Sequence, residues 1–475
     1  MKNLNIPQIQ QLIAEDKLSS VQLTEHYIER IKKYNKEFNV VSEINEDAVN
    51  MASELDAERK VSGRRSLIHG IPVLLKDNIN VDYNKKLHTT AGSIVLKDLY
   101  PGYDAFIVKK LREAGAVILG KTNLSEFANF ISEGSPNGFS ALGGQVKNPY
   151  GNFDVGGSSS GSAVAATLGL CQVAIGTETS GSILSPASRN SVVGVKPTVG
   201  LVSRYGIIPL SWTQDIAGPI TRNVIDAAIT LSIISGKDIN DKTTYELEEK
   251  QIPNYLALLD ENSVKGISIG IPECNFNGDE DEETLEIFNE AIKDLEKLGA
   301  KISKVNINQE RHHINGDVLF YEFPKALAEY FKTLGELAPV STLKDIVSFN
   351  KENLIERVPY DQRLFERSLL LEKDFDEKYE IALKNSISYG KEIDIVMKEN
   401  NLDVLVFVNT SGADIAARVG YPSVTVPAGY TKNNKPVGLT FTSIGFTEEK
   451  LLSYAYAYEC AYNKRKNPFY EGDIK

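Results

Sequence analysis

From about residue 65 onward the chain is written in short apolar runs broken by glycine: Val73–Leu75, Ala116–Leu119, Val173–Ile175 and Val192–Val195. Runs this short, apolar at consecutive positions and set between helical stretches, suit strands buried on both faces of a largely parallel sheet. The pattern returns later, with strands expected at Lys265–Ile271, Lys301–Val305, Asp403–Val408 and Ser423–Pro427 and a helix at Glu283–Leu298. Strands alternating with helices place the chain in the α/β class.

The 475 residues amount to about three domains of roughly 150 residues, but large α/β folds often run on as one unit. No internal repeat or low-complexity segment divides the sequence, so one large domain is the economical reading. Within it we expect an N-terminal helical layer over residues 1–62, a core over 63–235, and a remainder of the same domain over 236–475 with a helical insertion at about 310–400. Pro7 suits a first helical turn, and Ser19 with Gln22 forms a capping box ahead of Leu23, Tyr27, Ile28 and Ile31. Residues 236–263 are polar and read as a surface connection. In the insertion, Phe320, Tyr321, Phe323, Tyr330 and Phe331 stand at a spacing that favours core over pocket.

Sixty-four acidic against 52 basic side chains leave a net charge of −12, which argues against a nucleic-acid surface. The densest basic spot, Lys464–Arg465–Lys466, reads as a solvated helix end. Cys171, Cys274 and Cys460 are widely separated, and His26, His69, His88, His312 and His313 form no HxH or HExxH pair. Neither a disulfide framework nor a metal or other cofactor is expected. The opening MKNLNIPQIQQLIAEDK lacks the apolar centre of a secretory signal, and no stretch reaches the length of a membrane span. These features predict a soluble cytoplasmic protein with neither a nucleic-acid nor a membrane partner.

Two motifs match on paper and fail on context. Gly115-Ala-Val-Ile-Leu-Gly120-Lys121-Thr122 fits a phosphate-binding loop letter for letter, but its intervening residues are apolar and read as a buried strand, which leaves no loop. Lys121 and Thr122 are instead expected to precede a helix capped by Asn123 and Glu126. Gly157-Ser158-Ser159-Ser160-Gly161 fits the nucleophile elbow of α/β-hydrolases, yet a turn-rich segment precedes it where a strand is required.

Three elements remain: Lys76 at the end of an apolar run, the serine run 158–160, and Ser182 in Gly176-Thr-Glu-Thr-Ser-Gly-Ser182. Together they resemble one family closely, the amidase signature hydrolases. The likeness covers GGSSSGS at 156–162, GTETSGSI at 176–183, GVKPT at 194–198, VSRYGIIPLS at 202–211 and QDIAGP at 214–219. It continues to GYPSVTVPAGY at 420–430 and so spans nearly the whole chain. Within the family, GKTNLSEFANF (120–130), GGQVKNPYGN (143–152) and LFYEFPKALAEYF (319–331) are most similar to the peptide amidase-like group. Many members have Asp, Gly and Arg where this chain has Glu178, Ser180 and Leu184. A backbone N–H survives the change at Ser180, so the donors it belongs to are expected to persist.

The resemblance implies a mixed, largely parallel central sheet covered by helices on both faces. It also implies cleavage of a linear carboxamide to carboxylate and ammonia through an acyl-enzyme. It assigns the nucleophile to Ser182, a proton relay to Ser158 after a cis peptide bond, and the ultimate base to Lys76. Backbone N–H groups of Thr179, Ser180, Gly181 and Ser182 would hold the oxyanion, and Thr177 would brace the network. For Lys76 to act near pH 7, its pKa must fall from about 10.4 to about 7, a cost of roughly 4–5 kcal/mol that desolvation can supply. Asp77 would oppose that shift unless strand alternation turns it to the other face. C-terminal peptide amides are one substrate class the resemblance suggests, and what selects the substrate is expected to lie in the helical insertion. The alternative is the glutaminase subunit of a tRNA-dependent amidotransferase. Such subunits usually carry SDTGGSIR and SLDQIGP where this chain has TETSGSIL and WTQDIAGP.

Overall fold

A computed structural model describes residues 3–82, 87–247, 252–273, 280–308 and 317–468. Cys274, His312 and His313 lie outside the described residues. The strands are β1 (Val41–Ile44), β2 (Pro72–Lys76), β3 (Val117–Thr122), β4 (Phe139–Ser140), β5 (Gly144–Gln145), β6 (Val173–Glu178) and β7 (Val193–Lys196). They continue with β8 (Ile216–Thr221), β9 (Ser268–Pro272), β10 (Lys301–Val305), β11 (Val404–Val408), β12 (Ser423–Tyr430) and β13 (Pro436–Thr442). Apart from the small β4–β5 hairpin they form one 11-stranded sheet, ordered β1-β3-β2-β6-β8-β7-β12-β13-β11-β9-β10.

The sheet is mixed, as expected. Parallel pairs join β3, β2 and β6 on one side and β11, β9 and β10 on the other. The centre, from β6 through β8, β7, β12 and β13 to β11, is antiparallel, as is the β1 edge. Every residue of β2, β3, β6, β7, β8, β11 and β13 is buried, which is why these segments read as unbroken apolar runs rather than as alternation. One hydrophobic core runs from the N-terminal helices through the sheet to the last helix, Glu448–Tyr462. Among the described residues no helix is long and apolar enough to cross a membrane.

The N-terminal layer contains the helices Ile6–Ala14, Ser20–Phe38 and Ala48–Ser62, with the Ser19–Gln22 capping box formed at both hydrogen bonds. It is not purely helical. Val41 pairs with Thr122, so β1 adds an edge to the sheet that a four-residue run between two helices did not announce. The expected helix after Lys121–Thr122 also fails to form. Phe127, Ala128 and Asn129 all have positive φ, at 44°, 58° and 68°, which no right-handed helix accommodates. The Asn123 carboxamide oxygen instead accepts from Leu124 N–H and Ser140 Oγ, while Glu126 Oε2 accepts from Ala141 N–H.

The insertion's aromatic residues are core, as their spacing suggested. Phe320, Phe323, Tyr330 and Phe331 pack with Phe127, Phe130 and Phe365, and Tyr321 packs with Tyr379 in a neighbouring cluster. One buried carboxylate ties this layer to the sheet. Glu322 accepts from Ser211 Oγ, from Thr213 N–H at 3.2 Å, and from Tyr379 OH at 2.7 Å. Tyr379 OH in turn accepts from Trp212 Nε1 at 3.0 Å.

Lys121 has a structural task rather than a phosphate to bind. Fully buried, it donates to Ile79 O, His88 O and Thr89 Oγ1 at 2.6–3.0 Å and stands 3.4 Å from Asp77 Oδ1. Removing one member of a buried pair leaves the other charge uncompensated. Lys121→Ala is therefore expected to lower unfolding free energy by about 3–5 kcal/mol, read as a shift of the urea midpoint; an unshifted midpoint would contradict the assignment.

Candidate active site

β2 lies between β3 and β6, so the last residue of β2 stands where the loops that follow these strands converge. That residue is Lys76, fully buried. Its Nζ is 2.7 Å from Ser158 Oγ, 2.9 Å from Thr177 Oγ1 and 3.2 Å from Thr177 O. Burial lowers its pKa to about 7, against the opposing pull of the Asp215 and Glu178 carboxylates. Asp77 does face away: it accepts from Thr90 Oγ1 at 2.5 Å and stands by Lys121. Strand alternation thus separates a lysine that must lose its proton from the carboxylate next to it.

The serine run divides its labour. The peptide bond between Gly157 and Ser158 is cis, and Ser158 is the serine that meets Lys76. Ser159 turns the other way. Its Oγ donates to Thr177 O at 3.0 Å and accepts from Thr177 N–H at 3.1 Å, which keys the loop onto β6. Ser160 Oγ closes on Gly156 O at 2.5 Å as the helix Ser160–Leu168 begins. A Cβ at Gly157 would come within 2.5 Å of Ser125 Oγ and 2.6 Å of Asn137 Oδ1, so any larger residue there would displace those side chains.

Ser182 follows the end of β6. Glu178 Oε2 accepts from Ile183 N–H at 2.7 Å and Leu184 N–H at 3.0 Å, which fixes the turn beyond the serine. Ser159 N–H donates to Ser182 O at 3.1 Å and brings the two serine-bearing loops together. Gly181, with φ of 79°, supplies the left-handed step just before Ser182. Thr179 Oγ1 donates to Asp215 at 2.5 Å, and that carboxylate also accepts from Leu210 N–H and Ser211 N–H. Among the described residues, the N–H groups of Thr179, Ser180, Gly181 and Ser182 donate to no protein acceptor. Backbone donors without a protein acceptor are available to a ligand in the adjoining cleft.

The structure places Lys76, Ser158 and Thr177 in one hydrogen-bonded cluster and Thr179, Ser180, Gly181 and Ser182 along a neighbouring cleft wall, with Ser182 joined to the serine run through Ser159 N–H. The 179–182 segment opens on a cleft with two arms. One, of about 390 Å³, holds Ser182, Ser180 and Gly181. The other, of about 650 Å³, runs past Thr177 and Asn78 to Trp212, and the arms share Ala128, Thr179 and Leu210. The sequence pointed to the insertion for substrate selection but not to the residues that form the outer walls. Leu319, Ala326 and Glu329 come from the insertion, and Asn240, Asp241 and Lys242 from the segment expected to be mere surface connection. Asp241 makes a two-pronged ion pair with Arg204 at 2.8 and 2.9 Å; burial alone would raise its pKa, but the guanidinium holds it at about 2. No local motif marks such residues, because they meet the site only through the fold.

Comparison with known proteins finds similarity over nearly the whole chain. The family model described as Amidase matches residues 22–414. A protein of Arabidopsis thaliana named a probable amidase is 39% identical over 98% of this chain and 92% of its own length. The native peptide amidase of Stenotrophomonas maltophilia superposes with a TM-score of 0.93 at 37% identity, covering 99% of both chains. A glutamyl-tRNA(Gln) amidotransferase subunit from Thermotoga maritima is more distant, with a TM-score of 0.75 at 29% identity over 99% of this chain and 97% of its own.

Lys76 should be observable directly. A lysine resonance titrating near pH 7 is expected in spectra of the selectively labelled protein, and it should vanish in Lys76→Met. Because the unfolded chain binds the proton more tightly, the stability this group costs is greatest below about pH 7. It is relieved as pH rises toward the ordinary value of 10.5. A lysine titrating only near that ordinary value would overturn the desolvation argument.

Proposed function

The chain belongs to the amidase signature family, hydrolases of carboxamide carbon–nitrogen bonds, and on that premise we propose that it releases ammonia from C-terminal peptide amides and similar linear amides through Ser182, Ser158 and Lys76. The observation that carries the reading is the 2.7 Å contact between a buried, readily deprotonated Lys76 amine and Ser158 Oγ.

The chemistry runs as a relay. Ser182 Oγ bonds to the amide carbon while its proton passes to Ser158 Oγ, and the Ser158 proton passes to Lys76 Nζ. The carbonyl electron pair moves onto oxygen, where the free N–H groups of the 179–182 segment receive it. On collapse the carbon–nitrogen bond breaks, and the leaving nitrogen takes a proton back through Ser158, so ammonia departs from an ester on Ser182. Water then repeats the sequence and frees the carboxylate. Thr177 braces the amine through its hydroxyl and carbonyl, both within 3.2 Å of Nζ. The likeness to a peptide amidase and the long second arm of the cleft support a peptide substrate.

The test is ammonia release by the purified chain alone from amidated dipeptides, simple amides and glutamine. Ser182→Ala is expected to lose on the order of 10⁴-fold or more, and Lys76→Ala about 100-fold or more. Activity requires the neutral amine, so it should fall as pH drops below about 7. Wild-type turnover by Lys76→Ala would remove the base assignment, while activity that emerges only with added partner chains would favour the alternative in which the chain serves a tRNA-dependent amidotransferase.

A further inference from the structure

The leaving group of a primary amide is a single nitrogen, so almost the whole substrate is acyl part, and the larger arm, which shares Ala128, Thr179 and Leu210 with the arm that holds Ser182, is the roomier place for it. Most buried polar groups along that arm are already paired, the exception being Asn78 Oδ1, which has no hydrogen-bond partner among the described residues. Arg204 is paired with Asp241, and Arg204 Nη2 also reaches Thr243 Oγ1 at 3.1 Å. Asp215 is saturated by Thr179, Leu210 and Ser211. Asn78 Nδ2 donates to Thr177 Oγ1 at 3.0 Å. What the wall otherwise leaves for a ligand is apolar: Ile207, Ile208, Leu210, Trp212, Ile216 and Ala326. Lys242 and Glu329 are exposed and contribute charge of both signs.

Trp212 is positioned before any ligand arrives. Its Nε1 is tied to Tyr379 OH, which is tied to the buried Glu322, and its ring meets Phe375 and Tyr379 edge-on at 6.4 and 6.0 Å. A preorganised apolar wall binds without first being ordered. A charged side chain held against Ile207, Ile208 and Trp212 would leave water, and no unpaired charged group stands among the buried wall residues to meet it; Lys242 and Glu329 are both exposed.

We propose that the arm walled by Trp212 is a specificity subsite for the group flanking the carboxamide, and that it selects amides of apolar amino acids over those of charged ones. This rests on the proposed amidase reading of Ser182, and it adds the substrate class.

The chain holds one tryptophan, so its fluorescence reports on the arm without any turnover. Ser182→Ala protein titrated with N-acetyl-leucinamide should show a saturable blue shift as water leaves the indole. The α-amides of N-acetyl-glutamate and N-acetyl-lysine should give none at the same concentrations. In the wild type, kcat/KM for the leucine amide should exceed that for either charged amide by at least about tenfold, and Trp212→Ala should narrow that ratio. Equal kcat/KM for leucine, glutamate and lysine amides would overturn the subsite while leaving the amidase reading intact. A leucinamide-dependent fluorescence shift with no ammonia release from any amide would leave the subsite standing and sink the amidase reading instead. A ratio unchanged in Trp212→Ala would remove Trp212 from the assignment.

Discussion

Everything proposed for this site depends on placing an amine where water cannot reach it. Lys76 ends a strand that is buried along its whole length, between two parallel neighbours, and its Nζ meets only neutral oxygen atoms at hydrogen-bond distance. Desolvation alone would push its proton affinity far down; the carboxylates of Asp215 and Glu178 hold it back, and the balance falls near neutrality. Both carboxylates also have mechanical work in the same loop. Glu178 fixes the turn beyond Ser182, and Asp215 holds the hydroxyl of Thr179. The charges that poise the base are therefore the groups that shape the donor loop. A change at either would be felt at both.

The candidate catalytic centre was legible because it is built from contiguous loops at the ends of strands. Lys76, the serine run and the 176–183 segment each sit beside a short apolar run or a glycine-rich turn, and sheet pairing of β2 with β6 brings the strand ends together. The separation of Lys76 from Asp77 also followed from alternation alone. What could not be read was anything fixed by long-range contact. β1 joins the sheet only because β3 offers it an edge, and Phe127, Ala128 and Asn129 take positive φ in a segment whose letters favour a capped helix. Local propensity lost there to packing: Phe127 is buried against Phe323 and Phe365, and Glu126 is held by Ala141 N–H.

The substrate-facing walls illustrate the same limit from the other side. The insertion's aromatic residues drew attention in the sequence, yet they form the core behind the cleft. The insertion's residues at the cleft, Leu319, Ala326 and Glu329, are ordinary in type. Helical geometry explains the division. A helix packed by its aromatic face presents its remaining positions elsewhere, and which of those meets a cavity depends on the neighbour across it. The network from Glu322 through Tyr379 to Trp212 is equally silent in sequence, since its members lie on separate segments.

Three buried lysines show why burial by itself does not make a base. Lys76, Lys121 and Lys196 are all fully buried, and burial lowers the proton affinity of each. Lys121 has Asp77 beside it and backbone carbonyls to donate to, so its charge is useful where it stands. Lys196 settles at about 8 and donates to Tyr421 O at 2.7 Å and Pro197 O at 3.4 Å, both groups that only accept. An amine surrounded by carbonyls has no proton to receive. Lys76 differs in the set of groups it meets: two of its three close neighbours are hydroxyls, which can donate as well as accept, and none is a carboxylate, whereas Lys121 has Asp77 beside the one hydroxyl it reaches, Thr89 Oγ1. Once the amine is neutral, its lone pair has a serine O–H within reach. The chemistry of the partner, rather than the depth of burial, is what separates a structural lysine from a candidate base.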